Sequence, residues 1–293
     1  LELDKKGIIM KNISFFTEAQ PFLDKSLEKL AVDETRNNLL LGLALRLKDD
    51  PHAYTEQEPL MAIVSDDHSE IGEIAIMTPP FPLIVQSNPL NIESLESLAQ
   101  ALLTTGWQLT GVNGEAEASD NFAHIWREIT GQQVRLLINL RAYELQKVED
   151  LDYPNGEMRV AEEKDAPTAA AMLRAMQEEL KLQASNSTTL EGTLKSIRLK
   201  RTFFWVVGSE VVSITNAIRP QIKGICISGV YTPPEFRKKG YARALVAEVS
   251  KEMLLRGYEF TNLFTDLSNP TSNKIYQEIG YKPVCDYHQY SFD

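Results

Sequence analysis

Residues 229–243 read Gly-Val-Tyr-Thr-Pro-Pro-Glu-Phe-Arg-Lys-Lys-Gly-Tyr-Ala-Arg, an apolar strand that breaks at a proline pair and enters a helix through a small basic loop. Gly240 lets the backbone approach a ligand closely, and Ala242 adds almost no bulk. The first N–H groups of the following helix point outward with the positive end of its dipole. Arg237, Lys238, Lys239 and Arg243 add charge around the same turn. A junction of this kind is a place to hold a pyrophosphate.

The 293 residues, 43% of them hydrophobic, are enough for two domains that each bury a core. Cys226 and Cys285 sit in apolar, strand-like runs without metal-ligand spacing, so both are expected to be buried and reduced, as in a cytoplasmic protein. The leucine-rich run 39–47 contains Arg46 and is too short to span a bilayer, so no membrane association is expected. Net charge is −11, which argues against general nucleic-acid binding. Its distribution is uneven: residues 1–150 hold 12 Lys and Arg against 24 Asp and Glu, and residues 151–293 hold 18 against 17. A polyanionic ligand is best tolerated in the second half.

The polar stretch 147–157, with Pro154, Asn155 and Gly156, reads as a linker between a domain over 10–146 and a second over 158–293. In the second half the pattern alternates. Strand-like runs are expected at 158–162, 203–207, 210–217, 223–231, 260–265 and from Tyr281, and helices at 165–182, 189–200, up to Arg256 before Gly257, and 270–279 before Gly280. This is an α/β pattern.

The first half echoes the second. Met77-Thr-Pro-Pro-Phe is matched to Tyr231-Thr-Pro-Pro-Glu-Phe, Thr105-Gly-Trp to Arg256-Gly-Tyr, and Ile125-Trp-Arg-Glu-Ile to Ile275-Tyr-Gln-Glu-Ile. We read a duplicated domain. The copies differ chemically, because no basic residue or Gly-x-Ala step follows Thr78-Pro79-Pro80 and the helix starting near Asn91 has no phosphate cradle. Trp126 stands where the second half has Tyr276, and an indole has no phenolic proton.

The run Arg-x-x-Gly-x-Ala at 237–242, after a strand ending Val-x-x-Pro, resembles motif A of the GNAT N-acetyltransferase superfamily. Asn269-Pro-Thr-Ser-Asn-Lys-Ile-Tyr-Gln-Glu-Ile-Gly-Tyr281 resembles its motif B: an Asn, a small polar residue three on, a Tyr seven on, then a Gly-aromatic step. The resemblance covers about residues 157–293, and the first half only through the repeat. It implies two tandem GNAT-like domains, each a mostly antiparallel, splayed sheet flanked by helices. It also implies acetyl-CoA as cosubstrate in the second domain, and a first domain that serves as scaffold or as a wall of the substrate cleft.

Carried over residue by residue, the resemblance puts Val230, Tyr231 and Thr232 at the strand end that faces the thioester. The pyrophosphate falls on Arg237, Lys238, Lys239, Gly240, Tyr241, Ala242 and Arg243, and Asn269 and Ser272 lie beside the coenzyme. Tyr276 is the expected acid for the leaving thiolate, since a phenol of pKa about 10 is protonated at neutral pH. A core tyrosine beside Ile275 and Ile279 is the bland alternative. The base that deprotonates the amine stays unassigned, because no spacing singles out Glu178, Glu179 or Glu210. His52, His68, His124 and His288 are scattered, with no His-x-x-His or Glu-x-x-His pair, so no metal is expected. His288, in the last strand, reads as a half-exposed strand residue.

The reading is an N-acetyltransferase acting directly on a primary amine of a small molecule or a protein. The alternatives are a CoA-binding sensor or assembly protein without turnover, and a tandem aminoacyl-transferase using aminoacyl-tRNA. An intact CoA motif and an acidic chain weigh against the last.

Overall fold

The computed structural model describes residues 12–54, 56–66, 68–86, 89–180 and 188–293, which form two compact units. The first comprises the described residues up to Ala142 with Asp266–Ser268 and Val284–Asp293, and the second comprises Tyr143–Thr265 with Asn269–Pro283.

In unit 1, β1 (Asn12–Phe16) leads to α1 (Ala19–Ala31) and α2 (Asn38–Asp49), then to β2 (Leu60–Ser65), β3 (Ile71–Met77) and β4 (Leu83–Gln86). Then come α3 (Ile92–Thr104), β5 (Gly111–Glu115), α4 (Ala116–Thr130) and β6 (Val134–Leu145). The strands β1 to β4 pair antiparallel in sequence order, and β4 pairs parallel with β5. The period of two along β2 explains the layering. Leu60, Ala62 and Val64 face a core with Leu95, Leu98, Leu102, Phe122 and Trp126 of α3 and α4. Met61 and Ile63 face the opposite core, with Phe22, Leu30, Leu41 and Leu47 of α1 and α2. A sheet buried on both faces needs such nearly continuous apolar strands.

Unit 2 starts with β7 (Glu157–Val160), α5 (Ala166–Leu180), α6 (Leu190–Arg198), β8 (Thr202–Val207), β9 (Glu210–Pro220) and β10 (Gly224–Tyr231). It continues through α7 (Tyr241–Leu255), β11 (Phe260–Asp266) and α8 (Pro270–Ile279) into β12 (Lys282–Phe292). The strand order is β7-β8-β9-β10-β11, with β10 and β11 parallel and the other neighbours antiparallel. Phe203 and Trp205 face the core under α7 and α8, while Phe204 faces α5 and α6.

The order strand, two helices, three strands, helix, strand, helix, strand thus occurs twice. Two of the three matched segments occupy equivalent places: Gly106 and Gly257, both at positive φ, follow α3 and α7, and Trp126 and Tyr276 lie on α4 and α8. The third is a correction. Thr78-Pro79-Pro80 turns from β3 into β4, whereas Thr232-Pro233-Pro234 follows β10, whose counterpart by element order is β4. Two Pro-Pro breaks after apolar strands look alike locally, although they end different strands.

The stretch 147–157, expected as a linker, packs on unit 2. Val148 and Leu151 pack on the core of unit 2, and Trp205 Nε1 donates to the Asn155 carbonyl at 3.1 Å. The last strand does not belong wholly to the second half either. From Val284 on, β12 counts with unit 1 and pairs antiparallel with β5, Tyr287 opposite Glu115 through Ser291 opposite Gly111. Tyr281 precedes that strand, and its buried hydroxyl is 2.8 Å from both Ser250 Oγ and Thr261 Oγ1. The expected end of α5 at residue 182 lies outside the described residues.

Candidate active site

The site residues expected from the sequence all lie in unit 2, and those of 230–243 follow the point where β10 leaves its parallel neighbour. β10 and β11 pair from Gly224 opposite Phe260 to Cys226 opposite Asn262, yet β10 continues to Tyr231 and β11 to Asp266. On its other side β10 stays with β9, with one extra residue between the rungs Ser228–Asn216 and Tyr231–Ile214. Gly229, at φ +67°, occupies this bulge, a left-handed conformation that favours glycine. The open edge from Ile227 to Tyr231 is therefore a strand with a neighbour on one side only.

The strand end is held from β9. Ser213 Oγ donates to the Tyr231 carbonyl at 3.1 Å and lies 2.9 Å from Thr232 Oγ1. The Val230 side chain packs on the core under α7, and that of Tyr231 on the core under α5 and α6. The Tyr231 carbonyl is thus held, while the side chains of Val230 and Tyr231 are spent on packing and that of Thr232 meets Ser213. Ser213 was not among the residues picked from sequence, because its role depends on a cross-strand neighbour.

The basic loop separates into residues tied to the protein and residues that are not. Arg237 Nε donates to the Thr232 carbonyl at 2.8 Å, an outer guanidinium nitrogen meets Glu179 Oε2 at 2.6 Å, and the group lies over the Tyr231 ring. Arg243 reaches Glu278 on α8 at 3.2 Å and the Asp152 carbonyl at 3.0 Å. Lys239 sits over the Phe236 ring, and Lys238, at φ +63°, is exposed. Gly240 precedes α7 at φ +83° and offers no side-chain cap, so the first amide donors of α7, at Tyr241, Ala242 and Arg243, have no side chain to satisfy them from the N-cap position. The nearest atoms to a Cβ at Gly240 would be those of Pro154 at 3.9 Å, so glycine serves its backbone angle and the space outside it is open.

The equivalent junction of unit 1 is closed chemically. Asn91 caps α3 by accepting from the Ser94 N–H at 3.0 Å, and Glu93 places negative charge in the first turn. Its strands β4 and β5 pair to within one residue of both strand ends, Val85 opposite Gly114. No wedge like that between β10 and β11 opens there.

In α8, Asn269 is the N-cap, and its Oδ1 accepts the Ser272 N–H at 3.1 Å, the geometry its position before Pro270 predicts. Tyr276 is buried in the core under α7 and α8 and packs edge-on against Tyr281. Burial, with a contribution from Cys226, pushes its phenol up to about 12, so it keeps its proton throughout the neutral range. Of the carboxylates considered as a base, Glu179 is paired with Arg237, while Glu178 and Glu210 lie exposed. None is set as a proton acceptor. Cys226 is buried and free, and burial raises the partly buried Cys285 to about 12. His288 Nδ1 lies 2.6 Å from Asp120 Oδ1, both in unit 1. Among the described residues no group of His, Cys, Asp and Glu is placed to hold a metal, and no helix is long and apolar enough to cross a membrane.

Residues 209–290, from β9 through the site to β12, match the FR47-like protein family. No match was found among curated proteins. Solved structures match over nearly the whole chain. A Drosophila protein aligns at TM-score 0.66 and 12% identity, covering 97% of this chain and 99% of that one. A GCN5-related N-acetyltransferase from Sphaerobacter thermophilus aligns at 0.64 and 15%, covering 99% and 97%. A tandem GNAT protein from the clavulanic acid biosynthesis pathway aligns at 0.55 and 14%, covering 96% and 98%. With its repeated element order and its wedge in unit 2, the chain has the fold of the GNAT acetyltransferases in a tandem arrangement, with the FR47-like segment in its second half.

Proposed function

We propose that unit 2 is an acetyl-CoA-dependent N-acetyltransferase that moves an acetyl group directly to a primary amine of a small molecule or a protein. One observation carries the reading: β10 runs past its last rung with β11 and leads, through Arg237–Gly240, into a helix whose N-terminus has no side-chain cap. These residues fit the coenzyme. Its pyrophosphate would be held by the backbone from Gly240 to Arg243 with the charges of Lys238 and Lys239, and Asn269 and Ser272 would border it from α8. Unit 2 would carry the chemistry, and unit 1, with α3 capped by Asn91, would bind no CoA of its own. A reducing cytoplasm suits the two free thiols.

Acetyl-CoA supplies the acyl group activated as a thioester. Backbone donors at Val230, Tyr231 and Thr232 would meet the negative charge that grows on the carbonyl oxygen, without having to reorganise. The amine nitrogen bonds to the acyl carbon as the carbon–sulfur bond breaks. Tyr276 gives its proton to the departing sulfur, and the amine proton passes to water. A free thiol of pKa about 8.5 is a stronger acid than this phenol. A thiolate desolvated beside Tyr276 would gain basicity for the same reason, which narrows that gap.

Calorimetric titration with CoA, followed by thiol release from acetyl-CoA across a panel of amines, tests the reading. CoA binding with amine-dependent thiol release is expected. Binding without transfer to any amine would make the protein a CoA sensor, and tRNA binding at physiological salt without CoA binding would make it an aminoacyl-transferase.

A further inference from the structure

Two wholly buried hydroxyl side chains on β9, Ser213 and Thr215, reach the backbone of β10 beyond its last rung with β11. Thr215 Oγ1 donates to the Ser228 carbonyl at 3.1 Å, and Ser213 Oγ to the Tyr231 carbonyl at 3.1 Å. The two bonds bracket the bulge at Gly229. Strand interiors favour β-branched apolar residues, as at Val212 and Ile214 on the same strand, and a buried hydroxyl costs stability unless it is paired.

A trans peptide is planar, so the N–H of one residue points opposite to the carbonyl of the residue before it. Holding the Ser228 and Tyr231 carbonyls from the β9 side therefore turns the Gly229 and Thr232 N–H groups toward the side that β11 has left. The first of these peptides needs such a hold, because glycine accepts either sign of φ and lets the Ser228–Gly229 plane rotate at little cost. At the second, Ser213 also touches Thr232 Oγ1 at 2.9 Å and fixes both residues of the peptide.

We infer that Ser213 and Thr215 are positioning residues that aim the amide donors of the bulged strand at the acyl carbonyl. This inference rests on the acetyl-transfer reading. It assigns to β9 the rigidity on which an oxyanion-type donor depends, since a misdirected donor stabilises charge poorly.

The test uses Ser213→Ala, Thr215→Val and the double variant, with Ser213→Thr and Thr215→Ser as conservative rescues. CoA affinity should stay within about twofold of wild type, because the phosphate cradle at Gly240 is untouched, while kcat falls roughly 10- to 100-fold, a fraction of the loss on removing one donor outright. Hydrogen exchange across residues 228–232 of the free protein should accelerate at least about tenfold in the double variant, as expected of local opening, and both hydroxyl-retaining variants should restore kcat and protection. Wild-type turnover with an unchanged kcat and unchanged exchange in the double variant would overturn this inference alone. A wild type that neither binds CoA nor releases thiol overturns the acetyl-transfer reading, and this inference with it.

Discussion

Glu179, near the end of α5, holds the guanidinium of Arg237 at 2.6 Å and so occupies the first basic residue of the loop with a carboxylate of the protein itself. Any phosphate that approaches Arg237 must displace Glu179 or go without it. Glu179→Gln should therefore tighten CoA binding, by about two- to fivefold at low salt, since both partners are exposed and such a pair is worth less than about 1 kcal/mol. Titration at rising ionic strength should shrink the gain. A weaker CoA complex in the variant would mean that Glu179 supports the loop more than it competes for it.

Gly240 stands at φ +83° with open space where a Cβ would lie. Gly240→Ala should thus cost backbone strain and no steric clash, about 1–2 kcal/mol. The melting temperature should fall by a few degrees. CoA affinity should drop about tenfold or more as the first turn of α7 shifts. Full affinity in the alanine variant would remove the left-handed N-cap from the account of the site.

Tyr276→Phe keeps the packing against Tyr281 and removes only the hydroxyl. Turnover should fall about 10²-fold or more, the scale of one positioned acid, with CoA affinity nearly unchanged. Saturating kinetics that match wild type would assign the side chain to the core alone.

Alkaline stability gives a second view of the same residue. Burial raises Tyr276 to about 12 and raises Tyr281 as well, against about 10 for an unfolded tyrosine. A raised folded pKa means that the unfolded chain loses its proton first. The stability is present in full below pH 10 and drains away as pH climbs toward 12, by roughly 3 kcal/mol for Tyr276. Urea midpoints between pH 9 and 11.5 should decline less steeply in Tyr276→Phe than in wild type. Parallel curves would contradict the burial of an ionisable group at 276.

The elements of unit 2 were largely legible in the sequence because local chemistry marks their ends. Gly257 and Gly280 follow α7 and α8 at positive φ, and Pro270 opens α8 after its Asn269 cap. The basic loop before α7 was legible for the same reason, since loop, glycine and helix start are contiguous. What distant residues decide was not legible. That Arg237 is engaged by Glu179, or that Ser213 holds the Tyr231 carbonyl, depends on β9 and α5 lying beside β10. Equating Thr78-Pro79-Pro80 with the end of β10 failed because a proline pair ends a strand without recording which strand it ends. The affiliation of β12 was hidden too, as an alternating strand carries no mark of its partner.

Phe292 shows what that last strand contributes. Its ring stacks on Trp126 of α4 at 6.0 Å, Trp126 stacks in turn on Phe122, and Phe292 N–H donates to the Thr110 carbonyl at 3.0 Å. All lie in unit 1, so the core of that unit is completed by a residue of β12. Phe292→Ala should destabilise unit 1 by about 3–5 kcal/mol through lost burial and the cavity left beside Trp126. Phe292→Leu should cost less than half of that, because it refills most of the volume. Tryptophan fluorescence during denaturant unfolding, to which Trp107 and Trp126 of unit 1 contribute beside Trp205 of unit 2, follows the effect when it is compared with the same scan of a Trp205→Phe background. A loss below about 1 kcal/mol in the alanine variant would show that unit 1 closes its core without β12.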